Sequence, residues 1–328
     1  MVEKKRIVSG MRPTGALHLG NLHGALANWI SMQNDYDCFF FIADWHALTS
    51  DYENPGNIAG YSQNMMIDWL GAGLNPEKST LFVQSAVKAH AELFLLLSMI
   101  TPVPWLERNP TYKEQIEALN NKDLSTFGFL GYPVLQAADI IIYRANGVPV
   151  GIDQAPHIEI TREIARRFNH LYGKVFPEPE TLLTETSKIL GPDRRKMSKS
   201  YNNAIYLSES PEEIRKKTAQ MITDPQRIRK SDPGNPDICN VFTFHRFYSP
   251  AETVAEIDAA CRKAEIGCVA CKKKMAEYLI AYLAPIREKI EYFRQNSAMV
   301  KDIIENGNKR AVEEAGKTMK LVREAVKI

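Results

Sequence analysis

Short apolar runs alternate with helix-length stretches through the first 200 residues of this 328-residue chain, and beyond that point the short runs stop. No other feature restricts the fold as much. Phe39-Phe40-Phe41-Ile42-Ala43 and Leu81-Phe82-Val83 read as buried strands. Val148-Pro149-Val150-Gly151 reads as another, with Pro149 suited to a strand start. A further short apolar run precedes Gly10. Between the runs lie helical patterns at 21–34 and 158–172, where Ile158, Ile160, Ile164, Ala165 and Phe168 share one face. Strands alternating with helices predict an α/β fold, a parallel sheet with helices on both sides.

After residue 200, segments 211–221, 251–264, 272–297 and 298–326 read as helices, the first opened by the cap Ser210-Pro211-Glu212. Gly, Pro and Asp gather at 232–237 and mark a loop. The expected division is an α/β nucleotide-binding domain over 1–200 and an all-helical domain over 201–328, whose last helix could pack back on the first. At 45% hydrophobic and 24% charged, the chain has the composition of a soluble enzyme. No apolar run reaches the length of a membrane span, and no signal-peptide core follows Met1-Val2-Glu3-Lys4-Lys5-Arg6. The expectation is a cytoplasmic protein, with its cysteines reduced. A net charge of +2 makes no case for nucleic acid. Residues 201–328 carry 22 Lys/Arg against 18 Asp/Glu, and the rest 19 against 21; mixed solvated surfaces account for that difference.

Two blocks have the chemistry to handle phosphate. Ser9-Gly10-Met11-Arg12-Pro13-Thr14-Gly15-Ala16-Leu17-His18-Leu19-Gly20-Asn21 follows the first strand and opens a helix. Such a junction aims backbone N–H groups and the helix dipole at one spot. Gly15 and Gly20 permit close backbone approach, and His18 adds a donor. Gly-rich turns of this kind also serve only to pack a helix on a strand. The second block, Lys196-Met197-Ser198-Lys199-Ser200 after Arg194-Arg195, sets two lysines and two hydroxyls in five residues, suited to a polyphosphate or simply to solvent.

Together, in this order and separation, the blocks resemble the two signatures of class I aminoacyl-tRNA synthetases, with Asn21 closing the first as in many members. Three more segments narrow the resemblance to the tryptophanyl branch: Met11-Arg12-Pro13-Thr14-Gly15, Tyr132-Pro133-Val134-Leu135-Gln136-Ala137-Ala138-Asp139-Ile140, and Val148-Pro149-Val150-Gly151-Ile152-Asp153-Gln154 through His157. Tyrosyl enzymes share the layout but word the early motif differently. A paralogue that binds tRNA or senses redox state without charging tRNA is the rival of another class; intact His18, Asn21, Lys196 and Lys199 argue against it.

The resemblance implies a Rossmann-like catalytic domain, a helical anticodon-recognition domain, a homodimer, and L-tryptophan, ATP with Mg²⁺, and tRNA(Trp) as ligands. The tryptophan carboxylate attacks the α-phosphate of ATP, pyrophosphate leaves, and the tRNA's terminal ribose then takes the acyl group. His18, Asn21, Lys196 and Lys199 are implied as the catalytic set. Met11, Arg12, Thr14, Gly20, Lys113, Gly151, Asp153, Met197 and Ser198 are implied for ATP. Tyr132 and Asp153 are placed to hold the tryptophan ammonium, and Val8, His46, Gln136, Ile140, Val148, Val150 and Gln154 to line its pocket. Arg12 stands where many members have Gln, and Ile152 where many have Glu.

Asp139 also has a reading of its own. A charge inside Ala137-Ala138-Asp139-Ile140-Ile141-Ile142 needs a partner. A carboxylate only accepts hydrogen bonds and an indole Nε1–H only donates, while an arginine or a helix N-terminus would satisfy the charge equally well. In the family the Asp at this motif position receives the indole N–H.

Cys239, Cys261, Cys268 and Cys271 fall within 33 residues, the last two as C-x₂-C, and metal ligation is the better reading in a reducing compartment. Zinc sites commonly show two close pairs, whereas three close cysteines and a distant fourth suit a 4Fe–4S cluster. A subset of bacterial tryptophanyl synthetases carries such a cluster with a similar cysteine order; Zn²⁺ is the alternative. Arg262, Lys263, Lys272, Lys273 and Lys274 flank these cysteines and could touch the anticodon stem, or be exposed helix charges. Cys38, in a strand, reads as core.

Overall fold

The computed structural model describes residues 4–53, 55–110, 112, 124–183 and 189–328, without the side chains of Asp153 and Ser200. Lys113, expected at the ATP, lies outside the described residues.

Five parallel strands run β1 (Arg6–Met11), β2 (Asp37–Ile42), β3 (Ser79–Val83), β4 (Gly147–Val150) and β5 (Glu180–Leu183), in spatial order β3-β2-β1-β4-β5. The order reverses between β1 and β4, and ligands bind at such a switch point, outside the carboxyl ends of the strands. Alternation explains why β2 is apolar at nearly every position. Cys38, Phe40 and Ile42 face one core with Leu22, Leu26, Trp29, Met66 and Trp69. Phe39 and Phe41 face a second core with Leu93, Val134, Ala137, Ile158 and Phe168. A sheet covered on both faces has no polar side to offer.

The first core is capped by α1 (19–32) and α3 (Ile58–Ala72), the second by α4 (Ala89–Ser98), α6 (Phe127–Ile141) and α7 (Ala155–Tyr172), with α2 (Asp44–Asp51) and α5 (Val103–Glu107) as shorter pieces. The expected patterns at 21–34 and 158–172 are α1 and α7. Helix α1 includes a π-helical turn, Leu22–Leu26, of a kind found frequently at functional sites.

Strand β5 escaped the sequence reading. It has four residues, half-exposed or exposed, and no apolar run to announce it.

Beyond residue 200 the regular elements are helical: α8 (Pro211–Ala219), α9 (Asn240–Tyr248), α10 (Ala251–Arg262), α11 (Cys268–Gln295) and α12 (Ser297–Val326). The cap at Ser210 forms, its hydroxyl accepting the Glu213 N–H at 3.2 Å. The loop at 232–237 ends in a 3₁₀ turn, Pro236–Ile238. Helix α9 was not expected, because its nine residues sit between two loops.

Helix α12, about 45 Å long at 1.5 Å per residue, crosses the sheet's outer edge. A Cβ at Gly307 would lie 1.7 Å from the Leu81 carbonyl oxygen, so backbone meets backbone there. Asn308 Oδ1 then accepts the Val83 N–H at 2.9 Å. An edge strand that could pair with another chain is thus covered. Ala311, Ala315, Met319 and Val322 continue into the second core, and Arg323 grips Glu92 through two contacts of 2.7 and 2.6 Å.

Candidate active site

A cavity of about 370 Å³ opens at the carboxyl ends of β1 and β4, the switch point of the sheet. Val8, Met11 and Arg12 line it from β1 and its exit, Val148, Val150 and Gly151 from β4 and its exit. Helix α6 contributes Tyr132, Gln136 and Ile140, and His46 and Gln154 complete the expected set. Ser9, Gly24, Trp29, Thr49 and His157 also line it and were not foreseen. Gly10 leaves room for a neighbour, since a Cβ there would lie 2.5 Å from the Phe41 ring. Tyr132 Oη is 3.3 Å from His157 Nε2, and His157 Nδ1 is 3.0 Å from Asn109 Nδ2. Burial pushes the Tyr132 phenol up, partly offset by the Arg12 charge, so the hydroxyl keeps its proton.

Asp139 does not line the cavity; it lies behind it, completely buried. His46 Nε2 is 2.7 Å from Oδ2, His90 Nδ1 is 2.6 Å from Oδ1, and Gln84 Nε2 is 2.9 Å from both oxygens. Burial alone would raise its carboxyl, but the hydrogen bonds and charges of His46 and His90 outweigh that and hold it below the usual range. Of the three partners only His46 faces the cavity. Gln84 directly follows β3, at the carboxyl edge where ligands bind in such sheets, so its place after a strand could have marked it; nothing local marks His90.

The two phosphate blocks meet beside the cavity although some 180 residues separate them. The segment after the second block pairs with the end of the first: Leu19 N–H reaches Ile205 O at 3.0 Å and Leu207 N–H reaches Leu17 O at 3.0 Å. Lys199 consequently lies over Gly15, its Nζ 3.4 Å from Thr14 Oγ1. Gly15 adopts φ +109°, a conformation that other residues rarely take, and a Cβ there would sit 3.4 Å from Nζ. Gly20 has a steric reason as well, since its Cβ would stand 3.0 Å from the His18 ring.

His18 is the N-cap of α1, and Asn21 Oδ1 accepts its backbone N–H at 3.0 Å. Burial, and then the charge of Lys199, push His18 down to about 4, so the imidazole is neutral at physiological pH. Its buried Nδ1 has no hydrogen-bond partner among the described residues. A buried polar atom without a partner costs about 1–3 kcal/mol, and a ligand group would satisfy it. Burial also lowers Lys199, with Asp68 working against the shift. Asp68, itself raised to about 6 chiefly by burial, accepts the Leu17 N–H at 2.9 Å and so fixes the approach to His18.

Lys196 is exposed and Met197 buried. Asn203, buried and not foreseen, holds the loop: its Oδ1 accepts the Ser198 N–H at 2.8 Å, and its Nδ2 donates to Asp193 Oδ1 at 2.7 Å and to Lys196 O at 3.2 Å. Gly191 makes room for it, since a Cβ there would fall 2.5 Å from Nδ2.

The four C-terminal cysteines lie near enough to feel one another's charge. Arg227 Nη1 lies 3.9 Å from both Cys261 Sγ and Cys268 Sγ, and Cys271 Sγ is 3.5 Å from His245 Nε2. Burial, and then the charges of Cys239, Cys261 and Cys268, push the Cys271 thiol up to about 12. All four are free thiols, and Cys38 is a fifth, buried in the first core as expected. Among the described residues no group of three or more His, Cys, Asp or Glu side chains is gathered closely enough to hold a metal ion. Of the nearby basic residues, Arg262 pairs with Asp258 and Asp237, and Lys274 with Glu256. Among the described residues no helix is long and apolar enough to cross a membrane.

The model of the class I tRNA synthetases for W and Y matches residues 2–284. A tryptophan–tRNA ligase of Thermotoga maritima is 52% identical over 98% of this chain and 99% of its own. One of Aquifex aeolicus is 46% identical over 98% and 100%. The crystal structure of tryptophanyl-tRNA synthetase from Campylobacter jejuni, complexed with ADP and tryptophan, superposes with a TM-score of 0.91 at 32% identity, covering 98% of this chain and 100% of that one. With the switch-point cavity and the two joined phosphate blocks, these likenesses show that the chain belongs to the class I tRNA synthetases, in their tryptophan–tRNA ligase branch.

Proposed function

We propose that this chain activates L-tryptophan with ATP and transfers the tryptophanyl group to tRNA(Trp). One observation carries the reading. A cavity lined by Arg12, Tyr132, Gln136 and Gln154 at the switch point adjoins a half-buried Lys199 and a neutral His18 whose Nδ1 has no partner among the described residues. Tryptophan occupies the cavity, and its indole N–H replaces His46 Nε2 at Asp139 Oδ2. Tyr132, with Asp153, receives the ammonium.

The nucleotide lies along Met11–Thr14, Gly20 and Gly151, with Lys113, Met197 and Ser198 about its phosphates, which carry Mg²⁺. The tryptophan carboxylate oxygen forms a bond to the α-phosphorus as the bond to the pyrophosphate oxygen breaks. His18 offers a hydrogen bond without charge, Asn21 holds the helix start, and Lys196 and Lys199 meet the negative charge that grows on the leaving phosphates. Fixed charges aimed at developing charge supply most of such catalysis. A hydroxyl of the tRNA's terminal ribose then attacks the adenylate carbonyl and AMP departs. ATP–pyrophosphate exchange is expected with tryptophan and not with tyrosine. Exchange with tyrosine would make this a tyrosyl enzyme; tRNA binding without exchange would make it a non-charging paralogue.

The finer organisation is proposed on the same basis: a catalytic domain over 1–200, an anticodon-recognition domain over 201–328, a homodimer, and a cytoplasmic location. Cys239, Cys261, Cys268 and Cys271 jointly hold one 4Fe–4S cluster. The donor set supports this reading, because four neighbouring thiolates repel one another and ionise together only against bound cations. Gly234 leaves space beside Cys261, where a Cβ would stand 2.6 Å from Sγ. Anaerobically purified protein is expected to be brown with iron and sulfide in equal amounts, and Cys268→Ser to bleach it. Colourless protein with one zinc per chain would replace the cluster by a Cys₄ zinc site.

A further inference from the structure

Asp139 is one member of a buried chain that continues away from the cavity. His90 bridges it to Tyr143, four residues further along, with Nδ1 2.6 Å from Asp139 Oδ1 and Nε2 2.6 Å from the Tyr143 hydroxyl. All three side chains are fully buried. Burial, and then the charge of Asp139, push the Tyr143 phenol well above its usual value, so its O–H stays. A carboxylate only accepts, so the His90 nitrogen that faces it carries a hydrogen and donates to Asp139 Oδ1. The Tyr143 hydroxyl at the far nitrogen fixes the ring's orientation, and the carboxylate has no hydrogen of its own.

We propose that His90 is a specificity-determining positioning residue, which, oriented by Tyr143, holds Asp139 Oδ1 so that Oδ2 alone is presented to a substrate ring N–H. The inference rests on the reading of Asp139 as the indole acceptor. Its chemistry is selection of an aromatic side chain that bears a ring N–H over one of the same shape that lacks it. Gln84 contacts both oxygens and cannot distinguish them, and His46 is the partner that a substrate exchanges. His90 is the group that fixes which oxygen stays occupied.

The test is ATP–pyrophosphate exchange with tryptophan and with β-(3-benzothienyl)alanine, in which sulfur replaces the N–H. Its readout is the ratio of kcat/KM for the two substrates. His90→Leu is expected to lower that ratio on the order of tenfold, mainly through the KM for tryptophan, because the analogue never used the bond. Tyr143→Phe should lower it less, and His90→Asn, which keeps a donor near the Nδ1 position, should restore much of it. A folded His90→Leu protein with both substrates impaired equally, or with an unchanged ratio, overturns the proposal. If that variant does not fold, Tyr143→Phe decides, and an unchanged ratio again overturns it. Asp139→Ala, which removes the acceptor, separates the two levels. A ratio that collapses there but not in the His90 and Tyr143 variants refutes the positioning role alone. A ratio unchanged in Asp139→Ala refutes the indole reading, and the inference with it.

Discussion

Asn203→Ala tests whether the lysine loop works through its conformation. The side chain makes three hydrogen bonds, to Ser198 N, Asp193 Oδ1 and Lys196 O, and each links the loop to itself. At about 0.5–1.5 kcal/mol each, these bonds contribute roughly 2–4 kcal/mol to the ordered loop. Water recovers part of that, because Arg194, Arg195 and Lys196 are exposed, which leaves about 2 kcal/mol. If the loop is needed only when charge develops on the phosphates, the loss falls on the transition state, and adenylate formation slows about 30-fold at 1.36 kcal/mol per decade. Tryptophan affinity should change little, because Asn203 does not line the cavity. Single-turnover formation of the adenylate in rapid quench, beside equilibrium tryptophan binding, measures both quantities. Normal single-turnover rates in a folded variant, or a weakened tryptophan Kd with normal rates, would refute the reasoning.

Gly20→Ala should displace the His18 ring, because the new Cβ would stand only 3.0 Å from it, and lower kcat for exchange about tenfold with little change in melting temperature; an unchanged kcat would remove His18 from the mechanism. Gly307→Ala cannot keep its backbone contact, with a Cβ 1.7 Å from Leu81 O, so thermal unfolding should show a loss of about 1–3 kcal/mol, and equal stability would mean that α12 does not lie against β3. Stability to urea should rise between about pH 4 and 6.5: His18 and His245 both drop to about 4 when folded, burial being the chief cause in each. The unfolded chain therefore binds the extra protons in that window, and stability is lost as pH falls through it. Asp68, raised to about 6, opposes them as one group against two, and a midpoint that falls with rising pH would contradict the burial of the two histidines.

The sequence by itself determined the buried strands of the sheet, because strands covered on both faces must be apolar at successive positions, as in Phe39–Ala43, whereas the exposed β5 left no such mark. It also marked the two blocks, Gly15, His18 and Gly20 in one and Lys199 in the other, although each block alone suited a packing turn or a solvated loop equally well. The place of Asp139 was half legible. Its apolar neighbours announced a buried carboxylate with partners, but the partners come from α2, β3's end and α4, and no local pattern names them. Only tertiary structure decided that Lys199 rests over Gly15, through the pairing of 205–207 with 17–19, and that Asn203 braces the loop. Hydrophobic periodicity reports which face of an element is buried. Hydrogen bonds between distant segments depend on where those faces meet, and a period of 2 or 3.6 residues carries no record of that.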